Sequence, residues 1–245
     1  MEPDFSGIFH QSSKDLLKGH PYIPEDSRDW PEEWLTTFYK TYPRMPHVPL
    51  QSEPPSADFF ELISRRSSKR DFKKIPVGFT ELSTLLKYSC GITGKLDAGT
   101  FRRAQASGGA RFPIEVYPFL FQSNGALSSG VYHYNVKDHA LDVLLERHFS
   151  DTDIHSLFTY PWVKNASAAL ILTAVFWRTQ NKYGERGYRY ILLEAGHIAQ
   201  NVYLVAEALG LKCCALAGTR DEKIEELLDI DGVTESLVYT LILGK

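Results

Sequence analysis

Apolar positions along residues 56–245 recur with two periods, about 3.6 and about 2, while residues 1–55 follow neither. Phe59, Leu62 and Ile63 behind Ser56 as N-cap, and Leu82, Leu85 and Leu86 behind Thr80, predict two short helices, the second ending at Gly91. Between them runs the loop Arg65-Arg66-Ser67-Ser68-Lys69-Arg70-Asp71-Phe72. Ile114–Phe121, Gly130–Asn135 and Leu141–Leu145 are rich in β-branched and aromatic residues and are separated by turn signals such as Asn124-Gly125, so they read as one meander. Pro118 cannot donate to a ladder, which puts the first of these strands at an edge or on a bulge. Ala168–Trp177 reads as a buried strand. A long helix is predicted over Tyr188–Leu209 from Leu192, Ala195, Ala199, Val202, Ala206 and Leu209, with Gly210 beyond its end and Gly196 open to the approach of another helix. Thr219 and Glu222 form a capping box for a helix through Leu228, and Leu237–Leu243 is a last strand. Helices and strands mix without strict βαβ alternation, so the fold class is α+β, a sheet packed with helices.

Residues 1–55 are dense in proline (Pro21, Pro24, Pro31, Pro43, Pro46, Pro49, Pro54 and Pro55 among them) and in aromatics such as Trp30, Trp34, Phe38, Tyr39 and Tyr42. Proline prevents a long helix, yet the aromatics offer more apolar surface than a disordered tail carries, so the segment is expected to wrap over residues 56–245 as an arm. A hydrophobic content of 43% over 245 residues allows a large core. Net charge is −3 and basic residues are scattered, which argues against nucleic acid as a partner. The N-terminus has no basic stretch before an apolar one, and no apolar run reaches the roughly 18 residues of a span, so a cytoplasmic protein without membrane contact is expected. Three cysteines, two of them the neighbours Cys213 and Cys214, cannot make a disulfide framework, and neither CxxC nor HExxH occurs.

Three clusters carry candidate chemistry. Arg65, Arg66, Ser67 and Arg70 can grip a phosphate, or can be a solvated charge run. Ser107-Gly108-Gly109-Ala110 lets backbone lie against a flat ring, or is a plain turn. Arg178, Lys182, Tyr183, Arg186, Tyr188 and Arg189 lead into the long helix, on which Glu194, His197 and Asn201 share one stripe that can serve a site, or can be solvated or pair with a partner subunit. Signatures of other nucleotide and hydrolase folds, GxGxxG, Walker A and GxSxG, do not occur.

Taken in order, these segments resemble the SagB-type dehydrogenases of the nitroreductase superfamily from about Ser56 to Lys245. RRSSKRDF is similar to that branch's RRSxRxF, ASGGARFPIEVY to its S-[AG]-G-x-x-[YF]-P-x-E, and GVYHYNVKDHAL to its G-[VL]-Y-x-Y-x-x-x-x-H-x-L. KYGERGYRYILLEAGHIAQN follows K-Y…R-x-Y-R-x-x-x-x-E-x-G-H-x-x-Q-N closely, and Phe9-His10-Gln11-Ser12-Ser13-Lys14 resembles the YHxxSK opening. Arg111 and Phe112 depart from the commoner Leu-Tyr, and the chain stops at Lys245 without the longer tail that many nitroreductases exchange.

The resemblance implies a nitroreductase-like homodimer with flavin mononucleotide at the subunit interface. Its flavin contacts would be Arg65, Arg66, Ser67, Arg70, Ser107, Gly108, Gly109, Glu115, Ala215, Leu216, Ala217, Gly218 and Lys245. The face of Leu192, Ala195, Ala199, Val202 and Ala206 is expected to join the two subunits. The implied reaction removes two hydrogens from a thiazoline or oxazoline ring in a peptide, with dioxygen regenerating the flavin. Lys182 and Tyr183 are the candidate bases, with the lysine ammonium expected to lower the tyrosine's pKa. The implied partners are a peptide substrate and a cyclodehydratase complex. Two other readings stay open, an NAD(P)H-dependent nitro or quinone reductase and a non-catalytic peptide-binding subunit.

Overall fold

The computed structural model describes residues 4–14, 23–95 and 101–245, so that Pro21 lies outside the described residues. In chain order the elements are α1 (Phe5–Ser12), α2 (Glu32–Leu35), β1 (His47–Pro49), α3 (Phe59–Arg65), α4 (Phe79–Cys90), β2 (Ile92–Lys95), β3 (Phe101–Arg103), β4 (Ile114–Leu120), β5 (Gly130–Asn135) and β6 (Ala140–Glu146). There follow α5 (Asp151–Leu157), β7 (Ala168–Val175), α6 (Trp177–Tyr183), α7 (Arg186–Ala208), β8 (Lys212–Leu216), α8 (Asp221–Leu228) and β9 (Glu235–Gly244). Among the described residues one seven-stranded sheet runs in the order β1-β6-β5-β4-β7-β9-β8, with every neighbouring pair antiparallel, and β2 and β3 form a separate hairpin. The architecture is α+β, as the mixed order of elements predicts.

Both faces of the sheet are covered, which is why β4 and β7 are buried along almost their whole length and are mostly apolar. Leu170, Leu172, Leu241 and Leu243 point to the side of α4 and α7, where they meet Leu82, Leu85, Ile198 and Val202. Ile171, Phe119 and Ile242 point the other way, towards Ile154 of α5 and Ile224 of α8.

Several local expectations are corrected. Asp58, not Ser56, caps α3 by accepting from Glu61 N at 2.9 Å. Helix α4 begins after Gly78, whose N–H donates to Glu81 at 2.6 Å, so Thr80 lies inside it. Thr219 bonds the Asp221 carboxylate instead of closing a capping box with Glu222. The buried strand stops at Val175, and Trp177, 52% exposed, starts α6. Pro118 lies in a central strand: β4 pairs with β7 along its whole length but with β5 only at Phe119 and Leu120, so Pro118 stands where the β5 ladder has already ended. Most consequential for the expected subunit face, Ala195, Ala199, Val202 and Ala206 are buried in this chain's own core, and of that face only Leu192 is exposed.

The arm is tied down at several places along its length. Arg186 and Arg189 of α7 donate to the carbonyls of Lys14 and His10, each at 2.6 Å, which seats α1. Lys40 reaches Glu235 at 2.5 Å and the Tyr117 hydroxyl at 2.7 Å. Farther on, β1 adds to the sheet edge along β6.

Candidate functional site

The 23 residues of α7 form one long axis, and the candidate residues gather at its two ends. At its C-terminal end the loop after α3 is pinned by Lys69, whose N–H donates to Cys213 O at 3.0 Å and whose ammonium pairs with Glu207 at 2.7 Å. Ser68 Oγ lies 2.9 Å from the Tyr203 hydroxyl, which also accepts from Ala215 N at 2.6 Å. Tyr203 thus joins the loop to β8, and the Arg66 guanidinium stacks 5.3 Å from its ring centre. Arg65 is shared between Glu61 at 2.9 Å and Glu207 at 3.8 Å, whereas Arg66 and Arg70 pair with no carboxylate among the described residues. Ser67 is exposed beside them.

Arg70, Ala215, Leu216 and Ala217 line one cavity of about 130 Å³ together with Tyr160 and Trp162. Gly218 O accepts from both N and Oγ1 of Thr159 at 2.9 Å, so close that a Cβ on Gly218 would collide with that side chain. Arg70 in this cavity and Arg66 in the same loop, both without a carboxylate partner among the described residues, suit an anionic group such as a phosphate. Tyr203, Tyr160 and Trp162 were missed by sequence reasoning, because an isolated aromatic carries no sign of which loop it will face.

At the N-terminal end of α7, Ser107-Gly108-Gly109 forms a tight turn with φ of +61° at Gly109, and Ser107 Oγ accepts from Phe112 N at 2.9 Å. The space a Cβ on Gly109 would fill is taken by the Tyr183 hydroxyl, and a Cβ on Gly108 would rest on the Tyr190 ring. Tyr183 and Tyr190 meet edge to face at 5.1 Å. Glu194 is buried below, accepts from Gln105 Nε2 at 3.2 Å, and is pushed up to about 7 by burial. His197 Nδ1 lies 3.1 Å from Ala106 O, and Asn201 donates to Ser89 O at 3.0 Å, so the polar stripe fastens this turn and the end of α4 to α7.

Lys182 is 2% exposed, with its ammonium 3.2 Å from the Trp30 ring centre and 5.5 Å from that of Trp34. Burial lowers the proton affinity of Lys182, and Arg111 lowers it further. The expectation for Tyr183 is corrected: burial and then Tyr190 push its hydroxyl up, and the cation opposing them is Arg111, not Lys182.

Two expected flavin contacts are engaged elsewhere. Lys245 pairs with Glu81 at 2.8 Å. Glu115 bonds Arg178 at 2.5 Å and His133 at 2.9 Å, and His133 continues through Asp142 to His47. Burial opposes the Glu115 charge, but Arg178 and His133 outweigh it and hold the carboxyl down at about 2.

The structure therefore unites Arg70 with Ala215–Ala217, and Gly109 with Tyr183, whose ring lies 5.7 Å from the Lys182 ammonium, but not one group with the other. Tyr190 and Tyr203, which mark the two groups, stand about 20 Å apart along α7 at a rise of about 1.5 Å per residue.

Comparison with known proteins agrees with this fold. MJ1384 of Methanocaldococcus jannaschii, which carries the nitroreductase name, is 32% identical over 170 residues, covering 69% of this chain and 83% of its own. The trifolitoxin-processing protein TfxB of Rhizobium leguminosarum bv. trifolii is 30% identical over 67% of this chain, which spans about half (46%) of TfxB. The microcin B17-processing protein McbC of Escherichia coli is 29% identical over 76% of this chain and 73% of its own. Among solved structures, one from Anabaena variabilis superposes with a TM-score of 0.71 at 25% identity, over 97% of this chain and 45% of that one. The E. coli microcin synthetase McbBCD complex with truncated pro-MccB17 bound has a TM-score of 0.62 at 22% identity, over 98% of this chain and 91% of that one. A third, from Exiguobacterium sibiricum in complex with FMN, has a TM-score of 0.53 at 14% identity, over 80% of this chain and 90% of that one. The sequence pattern of the Nitroreductase family matches residues 63–245, three quarters of the chain, and the chain belongs to that family.

Proposed function

We propose that this chain is a cytoplasmic, flavin mononucleotide-dependent dehydrogenase of the SagB type, which converts thiazoline or oxazoline rings in a peptide into azoles. The observation that carries the reading is the Tyr183 hydroxyl set against the glycine turn at Gly109, with the buried Lys182 amine 5.7 Å from the Tyr183 ring centre. Removing two hydrogens from an azoline needs a base for the ring C–H proton and an acceptor for the hydride. Bound flavin supplies that acceptor. Lys182 is shifted towards the neutral amine and Tyr183 away from the phenolate, so Lys182 is the group assigned to take the proton, with Tyr183 orienting the ring. Arg66, Arg70 and Ser67 are assigned to the phosphate, with Arg65 as a shared outer contact. Similarity to TfxB and McbC, both peptide-processing proteins, supports a peptide substrate, and similarity to the McbBCD complex supports a cyclodehydratase partner.

The two groups at opposite ends of α7 become one site if a second copy supplies the turn of Ser107–Gly109 to the phosphate cluster of the first. A homodimer of this kind has an apolar surface available. Phe59, Phe60 and Ile63 of α3 and Leu192 and Leu193 of α7 are exposed, and nothing lies within 4 Å of a Cβ placed on Gly196. Light scattering of the flavin-loaded protein should give twice the chain mass. The reaction itself is tested by incubating flavin-loaded protein with an azoline-bearing peptide and following the loss of about 2 mass units, the two hydrogens removed in such a flavin-dependent oxidation. Turnover of NAD(P)H with a quinone, and no mass loss in the peptide, would move the assignment to the reductase alternative.

A further inference from the structure

Arg111 is 2% exposed, and its guanidinium meets no carboxylate among the described residues. Its donors go to backbone carbonyls instead: Glu33 O at 2.6 Å, Trp34 O at 2.7 Å, Thr36 O at 3.2 Å and, from α6, Arg178 O at 2.8 Å. A rigid five-donor fork thereby clips the stretch around α2 onto the helix that carries Lys182. A second tie runs parallel, from Trp34 Nε1 to Asn181 O at 3.2 Å, one residue before Lys182. Trp30 is set by its own bond, from Nε1 to Pro24 O at 2.7 Å, and its ring closes over the Lys182 ammonium. Beneath this stretch the packing is unfinished, since Thr179 Oγ1 and both side-chain polar atoms of Asn181 are buried without partners among the described residues. Buried polar atoms left this way favour a state in which water or a ligand reaches them.

We infer that residues 30–36 are a cover over Lys182, latched by Arg111, with Trp30 and Trp34 as positioning residues that hold the amine out of water until a peptide displaces them. This rests on the assignment of Lys182 to the reactive site, but the cover is measurable without turnover. An amine enclosed by indole faces is shielded from aqueous reagents whatever reaction it serves. Its proton affinity is lowered by burial and then by Arg111, so the cover and its latch act in the same direction. The charged and titratable groups facing it are Arg111 from the turn, with Glu33 of the cover next to that guanidinium, and Tyr183 of its own helix.

The test is competitive acylation of lysines in the flavin-loaded full chain over a range of pH, read by peptide mass spectrometry, with exposed Lys164 as internal reference. In the wild type, Lys182 should react at least about tenfold more slowly than Lys164 at the high-pH plateau, because reagent reaches it only through local opening. Its titration midpoint should lie below the ordinary lysine value of about 10.4. Trp30→Ala should raise the plateau rate about tenfold and move the midpoint up, and Trp30→Phe, which keeps a ring over the amine, should restore both. Arg111→Lys keeps a cation but loses the fork, so it should raise the plateau rate and move the midpoint up, by less than Trp30→Ala. Unchanged melting and flavin content in these variants separates loss of the cover from loss of the fold. Wild-type labelling that matches Lys164 in rate and midpoint, or no change in Trp30→Ala, overturns the cover. If labelling shifts as expected while Lys182→Ala oxidises azolines normally, the cover stands and the base assignment falls. If Lys182→Ala is inactive and Trp30→Ala labels like the wild type, the base assignment stands and the cover falls.

Discussion

Replacing Glu115 with glutamine should destabilise the protein far more than a one-atom change suggests. The carboxylate is 5% exposed and neutralises Arg178 at 2.5 Å while bonding His133 at 2.9 Å. With the carboxyl held at about 2 against an unfolded value of about 4.3, its ionisation contributes about 3 kcal/mol at neutral pH. Stranding a buried partner charge costs about 3–5 kcal/mol by an independent route, so the two magnitudes agree. For a domain of this size that lowers the melting temperature by about 6–20 °C. The pH dependence has a definite sign. Glu115 has a depressed folded pKa, so its contribution is present above the unfolded value and disappears as pH falls from about 4.3 towards 2. His133 is the opposite case: burial lowers its pKa, but the hydrogen bonds its ring donates to Asp142 and Glu115 outweigh that and raise it. Its contribution is complete below about 6.5 and fades as pH rises through the folded value. Melting curves from pH 3 to 9 should therefore peak in the mildly acidic range for the wild type and flatten in Glu115→Gln. The paired variant Glu115→Met/Arg178→Met removes both charges and should melt above either single variant. Equal melting of Glu115→Gln and wild type across that range would refute the reasoning.

Arg66→Glu should weaken flavin mononucleotide about 10- to 150-fold, the loss of one charge-assisted contact, and equilibrium dialysis measures it directly. Gly109→Ala should cost about 1–3 kcal/mol for its positive φ and also displace the Tyr183 hydroxyl, and Tyr183→Phe in the same chain should recover part of the loss in a urea melt. Lys182→Ala should slow azoline oxidation by about 10² to 10⁴ with normal flavin content, and the rising limb of the wild-type rate against pH should vanish with it. Leu193→Glu puts a charge on the exposed face of α7 and should shift light scattering from dimer to single-chain mass without lowering the melting temperature.

The periodic part of the fold was legible from sequence because its periodicity has one physical cause, burial against the sheet. Strand β5 falls where the pattern puts it, and α7 differs from its expected range by two residues at the start and one at the end. The long helix nevertheless misled in one respect. Small residues at helical spacing fit a partner helix and a chain's own β-sheet equally well, and only the three-dimensional packing shows that Ala195, Ala199 and Ala206 serve the latter. The site was legible as segments and not as an assembly. Arg66 and Gly109 each sit in a recognisable stretch, but their separation along α7 depends on how α3 and the Gly108 turn dock, which no local pattern encodes. Arg111 was visible as a departure from the family, while its role was not, since its acceptors are main-chain carbonyls that carry no residue-type signal.

The three residues of β1 have a consequence for how this chain tolerates truncation. Without them β6 would be the open margin of a wide antiparallel sheet, a row of free donors and acceptors able to recruit another chain. Pro46 accepts from Val143 N at 2.8 Å, and Pro49 ends the strand, so the added strand is too short and too poor in donors to be extended in turn. The same strand brings His47 to Asp142 at 2.9 Å, which extends the hydrogen-bonded chain from Glu115 outward to the strand. Cutting the first 50 residues away to obtain a minimal domain would thus expose a sticky sheet margin and leave Asp142 without one of its two histidines, so such a fragment should aggregate.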